Sequence, residues 1–302
     1  MLAVRRELRR RLHPRIVSGL PTRLWSVKPL AFLQAFTEDS EGQTGERRLY
    51  LATYIMAADA WIKFSDEWDA ILNSDPPISY FTMKEAHDPV GGQFRKFTKP
   101  QRDQKLAALA ELIAKYRPFA FHTSISRKDC ADFKIKAGFY PFQSPYFLLY
   151  FATIFGIAKC LPDWGLGNET CGFIFDESDG LPLRVMPVFD RTLSILPPEA
   201  RARIDGVPDF RDDKKVKPLQ AADFLAWHVR RAEEDAPYPA QYGSLWKTAI
   251  NGPYGSHQET TITRDAIKSI AEFTASLEGL SAVNRKKGWI EVLPHLLGSS
   301  GQ

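Results

Sequence analysis

The chain has 302 residues, of which 44% are hydrophobic and 25% are charged, and this composition excludes a predominantly disordered protein. Its formal net charge of +4 hides an asymmetry, because residues 1–30 hold eight Lys and Arg side chains against one Glu. The basic excess therefore belongs to an N-terminal arm, residues 1–28, which we predict to be disordered, and not to the folded body. An amphipathic organelle presequence is the alternative interpretation of the arm.

The cysteines and the apolar stretches indicate the compartment. Cys130, Cys160 and Cys171 show no C-x-x-C spacing, which favours reduced thiols over a disulfide framework or a zinc site. The longest apolar stretch, residues 146–158, is shorter than the roughly 18 to 20 residues that a bilayer span requires. We therefore expect a cytoplasmic protein without membrane contact.

Apolar periodicity predicts the order of elements in the first half of the chain. A strand over residues 29–37 stops at an acidic turn, 38–42, and residues 48–56 form its predicted hairpin partner. The other predicted elements of this half are an amphipathic helix over 61–71, a strand over 78–83, a helix that begins at Pro100 and a half-exposed strand over 119–126.

The second half continues to alternate helices and strands, which is typical of a mixed α/β protein. The main domain is predicted to span residues 29–239, and residues 240–302 to form a small helical annex packed on it, with its main helix over 263–277. Within the main domain the predicted elements are a buried helix over 146–158, a strand over 171–175, a helical stretch over 185–195, a strand over 207–211 and a helix that begins at Pro218.

Four carboxylates occupy positions that are unusual for solvated charge. Glu38, Glu85 and Asp176 each follow a predicted strand, and Asp223 lies on an otherwise apolar helix, three residues after Gln220. A buried carboxylate has to be paired or ligated. Acids that converge without His or Cys partners favour Mg²⁺ or Mn²⁺ over zinc, and two such ions can promote hydrolysis of a phosphodiester.

Each of these acids also has a structural interpretation, because an Asp at a strand end commonly forms a turn or caps a helix. Three basic residues near the Asp223 helix, Lys214, Lys215 and Arg230, either contact substrate phosphates or are solvated surface charge. The run 212–215 is equally open to interpretation as a solvated charged turn.

The remaining polar candidates are weaker. Gln220 and His228 are expected to position the ligand side chains without binding the metal themselves. His122 is expected to be a core or edge histidine. The sequence contains neither a Walker loop nor a G-x-G-x-x-G motif after a strand, so we expect no nucleotide cofactor. A Ser-His-Asp arrangement is not recognisable either.

Several sequence blocks occur in the order found in the prokaryotic domain-of-unknown-function 3800 family, which the chain resembles over roughly residues 30–235. The blocks are LQAFTEDS at 33–40, the two-tryptophan helix at 61–68, MKEA at 83–86, GQF at 92–94, FIFDE at 173–177, FRDDK at 210–214 and PLQAAD at 218–223. The Gln-x-x-Asp helix and the acid-Ser turn are the most diagnostic pair.

This resemblance implies a ribonuclease H-like fold, a mixed sheet flanked by helices with metal-binding acids on the first strand, a middle strand and a late helix. It implies that Glu38 or Asp39, together with Asp176 and Asp223, are the ligands of Mg²⁺ or Mn²⁺, with Glu85 as a further acid. Because adjacent strand residues face opposite sides, the register favours Glu38 as the ligand and predicts that Asp39 points away.

The chain departs from the family in the acid turn, which usually reads Asp-Asp/Glu-Ser-Gly, whereas residues 38–41 are Glu-Asp-Ser-Glu. Two functions are therefore open. The first is a divalent-metal-dependent, nuclease-like phosphodiesterase acting on RNA or DNA, with Glu38, Asp176, Asp223 and Glu85 as its catalytic acids. The second is a non-catalytic binding or regulatory module with a degenerate metal site. The sequence leaves the oligomeric state open.

Overall fold

The computed structural model describes residues 32–41, 48–133, 144–177, 189–194, 196–234, 242–250 and 257–276. The predicted N-terminal arm, residues 1–28, lies outside these ranges, as do the first residues of the first predicted strand and residues 185–188 and 195 of the predicted helical stretch. Among the described helices, none combines the length and the continuous apolar character that a membrane crossing requires.

The described residues form the following elements in chain order. The strands are β1 (Leu33–Glu41), β2 (Arg48–Ala57), β3 (Phe119–Ser126), β4 (Cys171–Asp176), β5 (Asp209–Arg211) and β6 (His257–Ile262). The helices are α1 (Ala58–Asn73), α2 (Met83–His87), α3 (Lys99–Tyr116), α4 (Arg127–Phe133), α5 (Pro145–Cys160), α6 (Phe189–Leu193), α7 (Pro198–Arg201), α8 (Lys217–Glu234), α9 (Gly243–Ala249) and α10 (Arg264–Ser276).

The strands form one mixed sheet in the order β5-β4-β1-β2-β3-β6. The pairs β1–β2 and β2–β3 are antiparallel, as expected for the predicted hairpin, whereas β1–β4, β4–β5 and β3–β6 are parallel. The prediction of a mixed α/β fold with helices flanking the sheet is confirmed.

Side-chain alternation along the strands divides the core into two layers. On one face, Leu33 and Ala35 of β1 pack with α5, which is buried along almost its whole length. On the other face, Phe36 packs with Trp61 of α1 and with α8. Helix α8 therefore crosses the face toward which Glu38 points, since Glu38 shares the alternation of Phe36.

Three predicted elements differ from the structure. Residues 38–41, predicted to belong to an acidic turn, continue strand β1 and pair with β2. Residues 78–83 form no strand; Ile78 and Phe81 are buried, but the chain bends there and helix α2 begins at Met83, with the Thr82 hydroxyl accepting from the Glu85 amide at 3.4 Å. A short apolar run does not distinguish a strand from another buried segment. The predicted helical annex contributes β6 to the edge of the main sheet, so its helical description is wrong for residues 257–262.

Strand β3 is also more buried than predicted, because both of its faces are covered. Its residues from Ala120 to Ser126 are all buried. The strand lies between β2 and β6 in the sheet. The alternation of polar and apolar residues in its sequence therefore places His122 and Ser124 in the α8 layer rather than in solvent.

Candidate metal centre

The acids of the first and fourth strands meet because those strands are parallel neighbours. The last paired residues of β1 and β4 are Thr37 and Phe175, so Glu38 and Asp176 follow side by side. Both side chains point to the same face of the sheet as Phe36 and Ile174, which pack in the core layer that contains α8. The strand ends thus bring to one place two acids that are 138 positions apart in the chain.

Three carboxylates lie within the reach of one metal ion. Glu38, Asp39 and Asp176 each offer one oxygen atom, and these atoms all lie within 4.8 Å of one another. Carboxylate oxygens are the ligands that Mg²⁺ and Mn²⁺ prefer. The sequence predicted Glu38 and Asp176 in this role.

Asp39 does not simply point away from the site, as alternation along β1 predicts. Its Oδ2 accepts a 2.7 Å hydrogen bond from the Tyr146 hydroxyl on the α5 side of the sheet, yet one of its oxygens belongs to the three-carboxylate set. Strand β4 ends at Asp176, and the amide of the next residue, Glu177, donates to the carbonyl oxygen of Arg211 in β5. Asp39 comes one position after Glu38, which lies opposite Asp176, so it lies beyond the end of β4. Asp39 therefore contacts the α5 side of the sheet, as the register predicts, and yet one of its oxygens lies within 4.8 Å of oxygens of Glu38 and Asp176.

Glu38 is the most confined of these acids. It is 8% exposed, and its Oε2 is buried and has no hydrogen-bond partner among the residues that the structure describes. Burial, followed by the charges of Asp176 and Asp223, raises the pKa of Glu38 well above its ordinary value. Such a carboxylate needs a proton or a cation to offset the cost of burial among like charges.

Two further acids have raised pKa values. Burial and then the charge of Asp213 raise the pKa of Asp176 to about 6, although the Asp213 amide donates to its Oδ1 at 3.2 Å. Burial raises the pKa of Asp223 to about 7, even though its Oδ2 accepts a 2.6 Å hydrogen bond from the amide of Met83. Asp223 is not a member of the three-carboxylate set, but its charge raises the pKa of Glu38.

Asp213 is a site residue that the sequence did not identify. It follows β5 in the turn that was open to interpretation as solvated charge, yet burial raises its pKa and its own charge raises the pKa of Glu38, Asp176 and Asp223. Its neighbour Asp212 fits the solvated interpretation, because it pairs with the Nζ of Lys215 at 2.8 Å. Its place in the turn that follows a third predicted strand is a weak signal, because the neighbouring residues are also charged.

Gln220 holds the turn that carries Asp213. It is fully buried, and its Oε1 accepts from the Trp68 indole at 3.0 Å and from the Phe81 amide at 3.3 Å. Its Nε2 donates to the carbonyl oxygens of Asp213 and Lys214 at 3.0 and 3.3 Å. Gln220 therefore joins α8 to α1 and to the β5–α8 turn.

Gln220→Leu is expected to lower the free energy of unfolding by roughly 3 kcal/mol, because it leaves buried donors and acceptors without partners in a site of nearly unchanged volume. Urea denaturation measures this loss. Gln104→Leu, at an exposed position of α3, is the matched control and should leave the midpoint nearly unchanged. Equal midpoints for the two variants would contradict the role given to Gln220.

Glu85 lies outside the three-carboxylate set. Its Oε1 accepts from the Tyr80 hydroxyl at 2.8 Å and its Oε2 from the Gln93 amide at 2.7 Å. Gly92 has a φ of 72°, and a Cβ on it would lie 2.1 Å from Oε2 of Glu85, so only glycine fits beside this carboxylate. Glu85 thus fastens the loop around Gly92, although its charge still raises the pKa of Asp213.

The basic candidates lie in different surroundings. Lys215 is exposed and engaged by Asp212, and the Nζ of Lys214 lies 5.3 Å from the ring centroid of Tyr80. Arg230 alone reaches β1, where its Nε donates to the Ser40 hydroxyl at 3.0 Å. Of the three, Arg230 therefore has the contact that ties it most directly to the acidic strand end.

His228 is placed by packing. It is fully buried, and its ring lies 4.5 Å from that of Phe224 and 5.0 Å from that of Trp227, measured between centroids. Burial lowers its pKa to about 3, so its imidazole is neutral at neutral pH. These contacts belong to the α8 layer of the core.

No protein-family model, curated protein or solved structure matches this chain. The resemblance to the domain-of-unknown-function 3800 family therefore stays a prediction. Three carboxylates within 4.8 Å of one another, with two more acting on them electrostatically, suit a hard divalent cation and repel an anion that arrives without one.

Proposed function

We propose that this protein is a divalent-metal-dependent phosphodiesterase of ribonuclease H-like fold that cleaves RNA or DNA. The buried Oε2 of Glu38, which no described residue hydrogen-bonds and which faces two further carboxylates, is the observation that carries the proposal. A cation at this point would offset the mutual repulsion of the acids and satisfy that oxygen.

The order of the strands supports the ribonuclease H-like assignment. Three antiparallel strands, β1 to β3, are followed along the chain by β4 and β5, which lie parallel to β1 on its other side. The acids stand on the first strand, on the middle strand β4 and on the late helix α8, as the resemblance implies. Strand β6 beside β3 is an addition to this arrangement.

Glu38, Asp39 and Asp176 would hold Mg²⁺ or Mn²⁺, and Asp223 and Asp213 would add negative charge around it. The bound ion would supply electrostatic stabilisation of a phosphate and of the leaving oxygen. Asp39 is oriented by the Tyr146 hydroxyl, and Asp223 by the Met83 amide, so both carboxylates are fixed before an ion binds. Preorganised ligands lower the free-energy cost of assembling the site.

Arg230 is the proposed phosphate contact. Its guanidinium reaches Ser40 at the end of β1, and the carboxylate of Glu234 lies 4.0 Å from its Nη1. A guanidinium at the rim of an acidic site can attract the phosphate backbone that the acids would otherwise repel. Lys215, which Asp212 already engages, is a weaker candidate for this role.

The test is a cleavage assay on single- and double-stranded RNA and DNA oligonucleotides with Mn²⁺, Mg²⁺ or EDTA. We expect cleavage of at least one substrate with Mn²⁺ and none with EDTA. Asp213→Asn should reduce the rate at least about tenfold, whereas Asp212→Asn, at the adjacent position engaged with Lys215, should retain it. If no substrate is cleaved, the alternative of a non-catalytic binding module replaces the proposal. If a substrate is cleaved and both variants behave alike, Asp213 has no part in the reaction.

A further inference from the structure

A second group of potential ligands lies on the same face of the sheet, two strands away from Glu38. The cross-strand register pairs Glu38 with Ala52, Ala52 with His122 and His122 with Glu259. With about 4.8 Å between neighbouring strands, Glu38 and His122 are roughly 10 Å apart along this row. Helix α8 crosses the row and adds Glu233 beside His122.

The donor atoms of this group are close enough to share an ion. His122, Glu233 and Glu259 each offer one atom, and these atoms lie within 4.8 Å of one another. The His122 Nε2 is 2.8 Å from Oε1 of Glu233 and 3.8 Å from Oε2 of Glu259. The His122 side chain is 2% exposed, whereas that of Glu259 is 70% exposed, so the group has a buried end and an end open to solvent.

His257 fixes the orientation of the His122 ring. Its Nε2 lies 2.8 Å from Nδ1 of His122, and the two rings are stacked with centroids 4.8 Å apart. This distance lets the ring nitrogen of His257 form a hydrogen bond with Nδ1 of His122. Nε2 of His122, which faces the two carboxylates, is then the nitrogen available to a metal ion.

We propose that His122, Glu233 and Glu259 form a binding site for a zinc-class divalent transition-metal ion, with His257 as a positioning residue. One imidazole and two carboxylates suit zinc better than Mg²⁺, which prefers oxygen ligands alone. Three protein ligands leave a coordination position for water on the side where Glu259 is exposed. The ion takes the place of the direct contact between Nε2 of His122 and Glu233, and it ties edge strand β6 to β3 and α8.

This site is separate from the acidic centre and does not depend on its activity. Asp223 and Glu233 are ten positions apart on α8, which corresponds to about 15 Å along the helix axis. The two sites also differ in ligand chemistry, because the acidic centre contains carboxylates and the second group contains an imidazole. A readout specific for histidine nitrogens therefore distinguishes them.

The experiment is a Zn²⁺ titration of the full chain in excess Mg²⁺, followed by the ¹⁵N resonances of the histidine rings. We expect the resonances of His122 and His257 to change with one equivalent of Zn²⁺, and the affinity to fall at least about tenfold in Glu259→Gln. Glu259 is largely exposed, so this variant is expected to fold. Glu272→Gln, at an exposed position of α10, is the matched control and should bind as the unmodified chain does.

Two results would overturn the proposal. In the first, Zn²⁺ leaves the histidine resonances unchanged, and His122 then only bridges Glu233 and His257 by hydrogen bonds. In the second, binding survives Glu259→Gln but is lost in Asp176→Asn, which would place the ion in the acidic centre. A His87→Asn variant removes one ring outside the group and helps to assign the resonances.

Discussion

Glu38→Gln is expected to reduce Mn²⁺-dependent cleavage at least about 100-fold, which corresponds to roughly 2.7 kcal/mol of transition-state stabilisation. The substitution keeps the size of the side chain but removes the negative charge and places an amide where Oε2 is buried without a described partner. An amide nitrogen in that position donates a hydrogen bond and cannot ligate a cation. The initial rate of oligonucleotide cleavage at saturating Mn²⁺ measures the loss.

The neighbouring acids of β1 provide graded comparisons. Asp39→Asn should reduce the rate less than Glu38→Gln does, because the Asp39 carboxylate also accepts a hydrogen bond from the Tyr146 hydroxyl. Glu41→Gln is the control on the same strand, since Glu41 pairs with Arg127 at 3.1 Å and is not in the three-carboxylate set. Full activity of Glu38→Gln, with loss in Asp39→Asn, would assign the ligand role to the other face of β1.

Loss of activity through misfolding has to be separated from loss of the ligand. Removing a buried charge from among like charges should stabilise the metal-free protein. Glu38→Gln is therefore expected to melt at the same temperature as the unmodified chain or higher without metal. Its melting temperature should rise less when Mn²⁺ is added, because it binds the ion more weakly. A lower melting temperature without metal would mean that Glu38 has a structural role instead.

The sequence predicted those parts of the fold that depend on local pattern. The β1–β2 hairpin, the two-tryptophan helix and the apolar helix α5 follow from the spacing of apolar residues, which is visible within each short segment of the sequence. Strand β6 escaped prediction because its sequence, HQETTI, is mostly polar. An edge strand buries little of its own side-chain surface, so the apolar pattern that reveals inner strands is weak there.

The candidate site was predictable only in part, for a related reason. Glu38 and Asp176 stand out because each follows an apolar strand. Asp213 does not, because it lies among charged neighbours, and its burial arises only when Gln220 fastens the turn against α8. The placement of Asp39 depends on where β4 ends, and that strand ends at Asp176, 137 positions further along the chain. Long-range pairing of this kind leaves no local signature.

The metal-free protein is expected to lose stability as the pH rises through neutrality. The pKa of Asp176 is raised to about 6 and that of Asp223 to about 7, from 3.8 for an ordinary Asp. A raised carboxyl pKa favours the folded state while the group is protonated, so its contribution is present below pH 4 and is lost as the pH passes the folded pKa. For Asp223 alone, the free energy of unfolding should fall by about 1.4 kcal/mol between pH 6 and pH 8.

Buried histidines change the free energy of unfolding in the opposite direction, and they do so at lower pH. The lowered pKa values of His228 and His257 contribute stability above pH 6.5 that is lost as the pH falls. The decisive quantity is therefore the difference between the unmodified chain and Asp223→Asn from pH 6 to pH 8, measured by urea denaturation in EDTA. Asp223→Asn should flatten this dependence, whereas Glu111→Gln, at an exposed position of α3, should leave it unchanged.

A divalent cation should reverse the trend, because it replaces the protons that the acids would otherwise retain. In Mg²⁺ or Mn²⁺ the unmodified chain is expected to gain more stability at pH 8 than at pH 6, since ligands must be deprotonated to bind. In Asp176→Asn, which removes a member of the three-carboxylate set, this gain should largely disappear. Equal stabilisation by the ion at both pH values, or an unchanged gain in Asp176→Asn, would show that the cation binds elsewhere and that the raised pKa values belong to a purely structural cluster.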